Sequence, residues 1–66
     1  DASELVTTLS TLGLQFLRLG YTGKAGLCLA KAEALIQRQT CSVEARLQWH
    51  LAYSEYLLGI GNTARW

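Results

Sequence analysis

LGLQFLRLGYTGKAGLCLAKA, Leu12 to Ala32, is the stretch from which the fold can be read. Leu12, Gly13 and Phe16 belong to one helical pattern and Ala25, Leu29 and Ala32 to a second, with Gly20 between them. Small residues stand where two helix backbones would approach each other, so the stretch predicts an antiparallel helical hairpin. Gly20 supplies the left-handed residue that ends the first helix.

Working outward from the hairpin, Leu5, Leu9, Leu12, Phe16 and Leu19 recur at spacings of four, three, four and three. They predict one apolar face along a first helix over about 2–19, with Ser10 largely elsewhere. Asp1 and Glu4 suggest a capping box at its start. Gly13 costs about 1 kcal/mol inside a helix, so its place beside the stripe implies close packing there. Thr22 is the expected N-cap of a second helix over about 23–39, with Ala25, Leu29, Ala32 and Ile36 inward and Cys28 and Leu35 flanking. Ser42 is the expected cap of a third helix over about 43–59. Ala45, Trp49, Ala52, Tyr56 and Gly59 line one side of it, and Leu47, Leu51 and Leu58 another. A helix apolar on two sides is usually sandwiched between neighbours. Gly61-Asn62 is expected to break this helix, and Thr63 to Trp66 to open a fourth.

Half of the 66 residues are hydrophobic and 17% are charged, a balance that excludes a disordered polar tail. A chain this short buries only about 60% of its unfolded surface, so a single thin-cored domain over 1–66 is expected. Prolines are absent and the six glycines punctuate helical runs, which does not favour strands. The net charge of +1 is too small to indicate a nucleic-acid partner. No apolar run approaches the roughly 18 residues of a membrane span, and DASELVTT is unlike a signal peptide. The abrupt ends read as a piece excised from a longer chain. Cys28 and Cys41 fall too far apart along a helix to bridge, so free thiols and an intracellular location, cytoplasmic or nuclear, are expected.

Chemistry-bearing clusters are scarce. Cys41 and His50 lie on either side of a helix start, too far apart for a thiolate and its base. Two cysteines and one histidine lack the close pairs of a zinc site, and no cofactor motif is present. Asp1, Glu4 and Glu44 are explained by helix starts and Glu33 by solvent, while Glu55 sits among Tyr53, Tyr56 and Leu57. The candidate partner-binding residues are therefore of another kind. Lys24, Lys31 and Arg38 repeat every seven residues along the second helix and form a basic row suited to an acidic segment. Trp49, Tyr53 and Tyr56 are candidate aromatic anchors. The plainer readings are a solvated helix face for the first set and core packing for the second.

In order and spacing, Leu12, Gly13, Phe16, Gly20, Ala25, Leu29 and Ala32 resemble the tetratricopeptide repeat, a helical hairpin that stacks on its neighbours. Leu9 replaces the usual tryptophan and Gln37 the closing proline. A weaker second copy aligns Leu51, Ala52, Gly59 and Ala64 with Leu12, Gly13, Gly20 and Ala25, with Glu55 in the aromatic position. The segment Leu51 to Asn62, LAYSEYLLGIGN, and the LGYTGKA turn are similar to the helical superhelix of fungal separases, cysteine proteases that cut cohesin and are restrained by securin. That resemblance implies a non-catalytic region, since the family's catalytic His and Cys motifs have no match here.

The reading is all-α: an antiparallel, tetratricopeptide-like three-helix arrangement of one hairpin plus one helix, part of an α-solenoid. The expected function is non-enzymatic, a scaffold and protein-binding module contacting a protein partner or neighbouring repeats. Two other classes compete with it. One is a small autonomous helical adaptor or regulatory domain that dimerises; the other is an enzyme fragment carrying a reactive thiol. Neither a nucleic acid nor a membrane is expected as partner, and a homodimer of the isolated chain is.

Overall fold

A computed structural model describes residues 2–64, with side chains as far as Ile60. Three helices follow one another: α1 (Ser3–Arg18), α2 (Thr22–Arg38) and α3 (Val43–Ala64). The described residues are all-α and form an elongated body of 40 × 16 × 15 Å. Every pair of helices is in contact, α1 with α2 most extensively and α2 with α3 least.

The hairpin turn closes as its glycine requires. Gly20 has φ 91°, a conformation that a side chain disfavours. Its N–H donates to the Leu17 carbonyl at 3.1 Å, and the Tyr21 N–H to that of Phe16 at 2.8 Å. This pair of bonds is a Schellman closure. The Tyr21 carbonyl already accepts from the Ala25 N–H at 3.0 Å. The N-cap of α2 is therefore Tyr21, with no side-chain cap bond. Thr22, expected to be the cap, is instead the first helical residue, because the turn ends one residue sooner.

On α2 the inward face matches its spacing: Ala25, Leu29 and Ala32 are buried, with Cys28, Leu35 and Ile36 half-buried beside them. On α1 the expectation needs correcting. Its buried residues are Val6, Ser10 and Gly13, whereas Leu5, Leu12 and Leu19 are between 40% and 69% exposed. The helix is turned so that Val6, Ser10 and Gly13 meet the neighbours most closely, with Leu9 and Leu14 half-buried beside them. Ser10 tolerates complete burial because its hydroxyl donates to the Val6 carbonyl at 2.8 Å, a bond made within the helix. Close approach is the gain. A Cβ placed on Gly13 would lie 3.1 Å from Leu29 Cγ and 3.4 Å from the Ala25 carbonyl oxygen.

The helix starts are tied together rather than capped in isolation. Ala2 is the N-cap of α1, without a side-chain bond; Asp1, the other half of the expected capping box, lies outside the described residues. The Ala2 N–H donates to the Thr40 carbonyl at 3.4 Å, and the Ser42 N–H to Ser3 Oγ at 2.8 Å. Ser42 caps α3 as its position predicts, accepting from the Ala45 N–H at 3.1 Å. Cys41, between these contacts, is buried, and both cysteines are free.

At the far end, α3 runs through Gly61 and Asn62 to Ala64, so the expected break there does not occur. Glycine and asparagine lower helix propensity by about 1 kcal/mol or less but remove no backbone donor, which only proline does. Residues 63 and 64 thus extend α3 instead of opening a fourth helix. Arg65 and Trp66 lie outside the described residues.

Candidate protein interface

The two candidate groups occupy different places. Lys24, Lys31 and Arg38 are all exposed. Seven residues advance a helix by about 10 Å and almost two full turns, so the three cations form one row along the outer side of α2. Lys24 is partly engaged at the hairpin tip: its ammonium lies 5.2 Å from the Tyr21 ring centroid and 5.8 Å from that of Phe16. This is cation–π geometry, strengthened by the edge-on contact of the two rings at 6.2 Å. Ala30 and Ala34 are exposed beside the row, and Leu27, one turn before Ala30, is 64% exposed. The basic row therefore borders a shallow apolar strip.

The aromatic group is divided between core and surface. Trp49 is 6% exposed, and its indole N–H donates to the Leu29 carbonyl on α2 at 2.8 Å. That bond satisfies the one polar atom of a large buried side chain and fixes the position of α3 on the hairpin. Tyr53 stacks on Trp49 with centroids 4.9 Å apart and planes 10° apart. Tyr56 follows at 6.0 Å from Tyr53, its hydroxyl lying over Gly26 of α2. Tyr53 thus reaches the surface, at 36% exposure, whereas Tyr56 stays half-buried against the core. His50 is exposed and meets Trp49 edge-on at 5.0 Å.

Two surfaces stand out that single residues did not announce. A groove of about 500 Å³ runs between the first halves of α1 and α3, lined by Glu4, Thr7, Thr8, Glu44 and Gln48 among others. The second is the outer side of α3, where Val43, Leu47, Leu51 and Leu58 are between 57% and 68% exposed. Ala45, Trp49 and Ala52, on the opposite side of the same helix, are buried. This helix has two apolar faces back to back, as the two stripes in its sequence predict. Ala52 is wholly buried against the hairpin, and Leu47, Leu51 and Leu58 lie on the exposed side. Among the described residues, no group of three His, Cys, Asp or Glu is placed to hold a metal ion. No described helix is long and apolar enough to cross a membrane.

The class defined by this geometry is a layer of packed helices with apolar faces directed outward, and it contains no assembled reacting groups among the described residues. The sequence is similar to Separin from Emericella nidulans, 36% identical over 63 residues that cover 96% of this chain. The chain spans 3% of the length of that relative. No family model matches the sequence, and no solved structure matches it.

Proposed function

We propose that this chain is a non-catalytic helical-repeat module for protein–protein contact, of tetratricopeptide-like build, belonging to the superhelical region of a separin-like protein. The observation that carries the proposal is the two-faced α3. Its inner stripe closes the hairpin core and its outer stripe is left for a further layer, which is how a solenoid unit differs from a closed bundle. The short, near-complete alignment with Separin supports the same reading, because it covers a small piece of a much longer chain.

In this role the exposed leucines of α1 and α3 meet adjoining helices, and the row of Lys24, Lys31 and Arg38 faces a partner. An acidic segment, of the kind a separase inhibitor such as securin would offer, fits that row, with Tyr53 and Tyr56 as further contacts. The module then serves protein assembly in chromosome segregation, inside the cell, while proteolysis belongs to another part of the protein.

The test is a titration of the 66-residue chain with a labelled helical peptide bearing glutamate at every seventh position beside leucine, read by fluorescence anisotropy. Binding that weakens with added salt, and at least about tenfold in the triple variant Lys24→Glu, Lys31→Glu, Arg38→Glu, is the expected result. Equal binding by the triple variant would remove the basic row from the proposal.

A further inference from the structure

On the outer side of α2, the basic row has an apolar strip beside it. Gly23, Leu27, Ala30 and Ala34 succeed one another at four, three and four residues, the spacing of one helix face. All four are exposed, and Leu27 is the one large side chain among them. Lys24, Lys31 and Arg38 border the strip on one edge. Glu33, the one acidic residue of α2, and Gln37 border it on the other; both are exposed. Tyr56 of α3 stands at that second edge, its hydroxyl lying over Gly26, one turn before Ala30.

We infer that the acidic partner segment binds as an α-helix laid along this strip, its apolar side inward and its carboxylates on the edge that meets the row. The inference rests on the basic row as the partner surface and adds the form of what it binds. Spacing carries it. Successive cations stand about 10 Å apart along α2, and on a facing helix glutamates seven residues apart repeat at the same interval on the same side. A β-strand advances about 3.3 Å per residue, so about three residues span each interval, and side chains three apart point to opposite faces. Such a strand reaches Lys24 and Arg38 together but misses Lys31. A polyproline helix repeats about every 9 Å but docks in aromatic-lined grooves, and this strip is convex and aliphatic.

The small side chains of the strip fit the same occupant. Helix axes approach to about 8 Å where the residues between them are small, and Gly23, Ala30 and Ala34 leave room for leucines of the second helix beside Leu27. Charge then sets the partner's pattern: glutamate or aspartate on the edge facing the row, and no acidic residue on the edge facing Glu33, where like charges repel. Engaging all three cations asks for a segment of about 15 residues or more. Such a segment is largely unfolded when free and gains its helix on binding.

A labelled peptide of three heptads, with leucine along one stripe and glutamate on one edge, tests this by fluorescence anisotropy against the 66-residue chain. Its control is a twin of equal charge in which one outward residue of the middle heptad is proline. The twin is expected to bind at least about tenfold more weakly, because proline breaks the helix without touching the contact. Leu27→Ser and Ala30→Phe should each weaken the first peptide about fivefold, the one by lost apolar contact and the other by blocking close approach. Both residues are exposed, so these variants should keep the helicity of the parent. The backbone carbon shifts of the bound peptide should be helical. Equal binding by the twin, extended shifts in the bound peptide, or indifference to both strip variants would overturn the inference; with binding still dependent on Lys24, Lys31 and Arg38, the basic row would stand as the partner surface. Binding by neither peptide, or binding unchanged in the triple charge variant, would overturn both.

Discussion

Replacing Trp49 with alanine should lower the thermal midpoint by about 15 °C or more, measured as loss of helical circular dichroism. Truncating a buried tryptophan costs about 3–5 kcal/mol, and in a domain of this size each kcal/mol moves the midpoint by about 4–8 °C. Trp49 is the largest side chain in the core cluster, and its indole N–H bonds α3 to the backbone of α2 through the Leu29 carbonyl. Its removal leaves a cavity between the hairpin and the third helix and frees Tyr53, which stacks on it. Total stability of so short a chain is only roughly 3–10 kcal/mol, so the variant should be partly unfolded at 37 °C. Trp49→Phe retains most of the ring area and loses the N–H bond, a cost of about 1 kcal/mol. A midpoint in Trp49→Ala within a few degrees of the parent would show that the indole is not part of the core.

The second large effect is expected at Gly13. Gly13→Val adds three carbons at a site where the first of them already falls 3.1 Å from Leu29 Cγ. Overpacking of this kind costs about 1–3 kcal/mol, and the gain in helix propensity returns only a few tenths. We expect a net loss of about 2 kcal/mol by chemical denaturation. Gly13→Ala should be near neutral, since a gain of about 1 kcal/mol in propensity offsets the small retreat asked of Leu29. The neighbouring residue supplies the contrast. Leu12→Ala should cost well under 1 kcal/mol, because Leu12 is 40% exposed and truncation there opens no cavity. Were the leucine stripe the buried face, the order would reverse and Leu12→Ala would be the costlier change.

That contrast also shows what the residues disclosed before any coordinates. On α2 the inner face was legible, because small and large apolar residues alternate at helical spacing and charges fill the other side. Gly20 and Ser42 were legible for local reasons, the one supplying a left-handed turn and the other a cap. The rotation of α1 was not. Leucine occurs on several sides of that helix, so periodicity alone selects the stripe with most leucines. Ser10 appears polar until its hydroxyl is seen bonded to the Val6 carbonyl inside the helix. Gly13 was the better guide, since a helix interior accepts glycine at a cost only where something presses against it.

The length of α3 was not legible, because Gly61-Asn62 reads as a helix break although neither residue removes a backbone donor as proline does. Among the candidate contacts, the basic row was legible because a seven-residue repeat of charge has one geometric consequence on a helix. The division of the aromatic set was less so. Trp49, Tyr53 and Tyr56 share a helix side, and their partners on α2, the Leu29 carbonyl for Trp49 and Gly26 for Tyr56, are what hold those two inward while Tyr53 is exposed. The groove between α1 and α3 could not be read at all, since its lining comes from helices whose mutual rotation was not known.

The close pairing of α1 and α2 at their small residues supports both the module and its outward faces, and nuclear Overhauser spectroscopy on the 66-residue chain measures it most directly. Cross-peaks from the Gly13 α-protons to the Leu29 methyls and to Ala25 are predicted, with none from Leu12 to Leu29 of comparable strength. Strong Leu12 to Leu29 cross-peaks with Gly13 silent, or no contact between the two helices, would contradict the fold on which everything else is built.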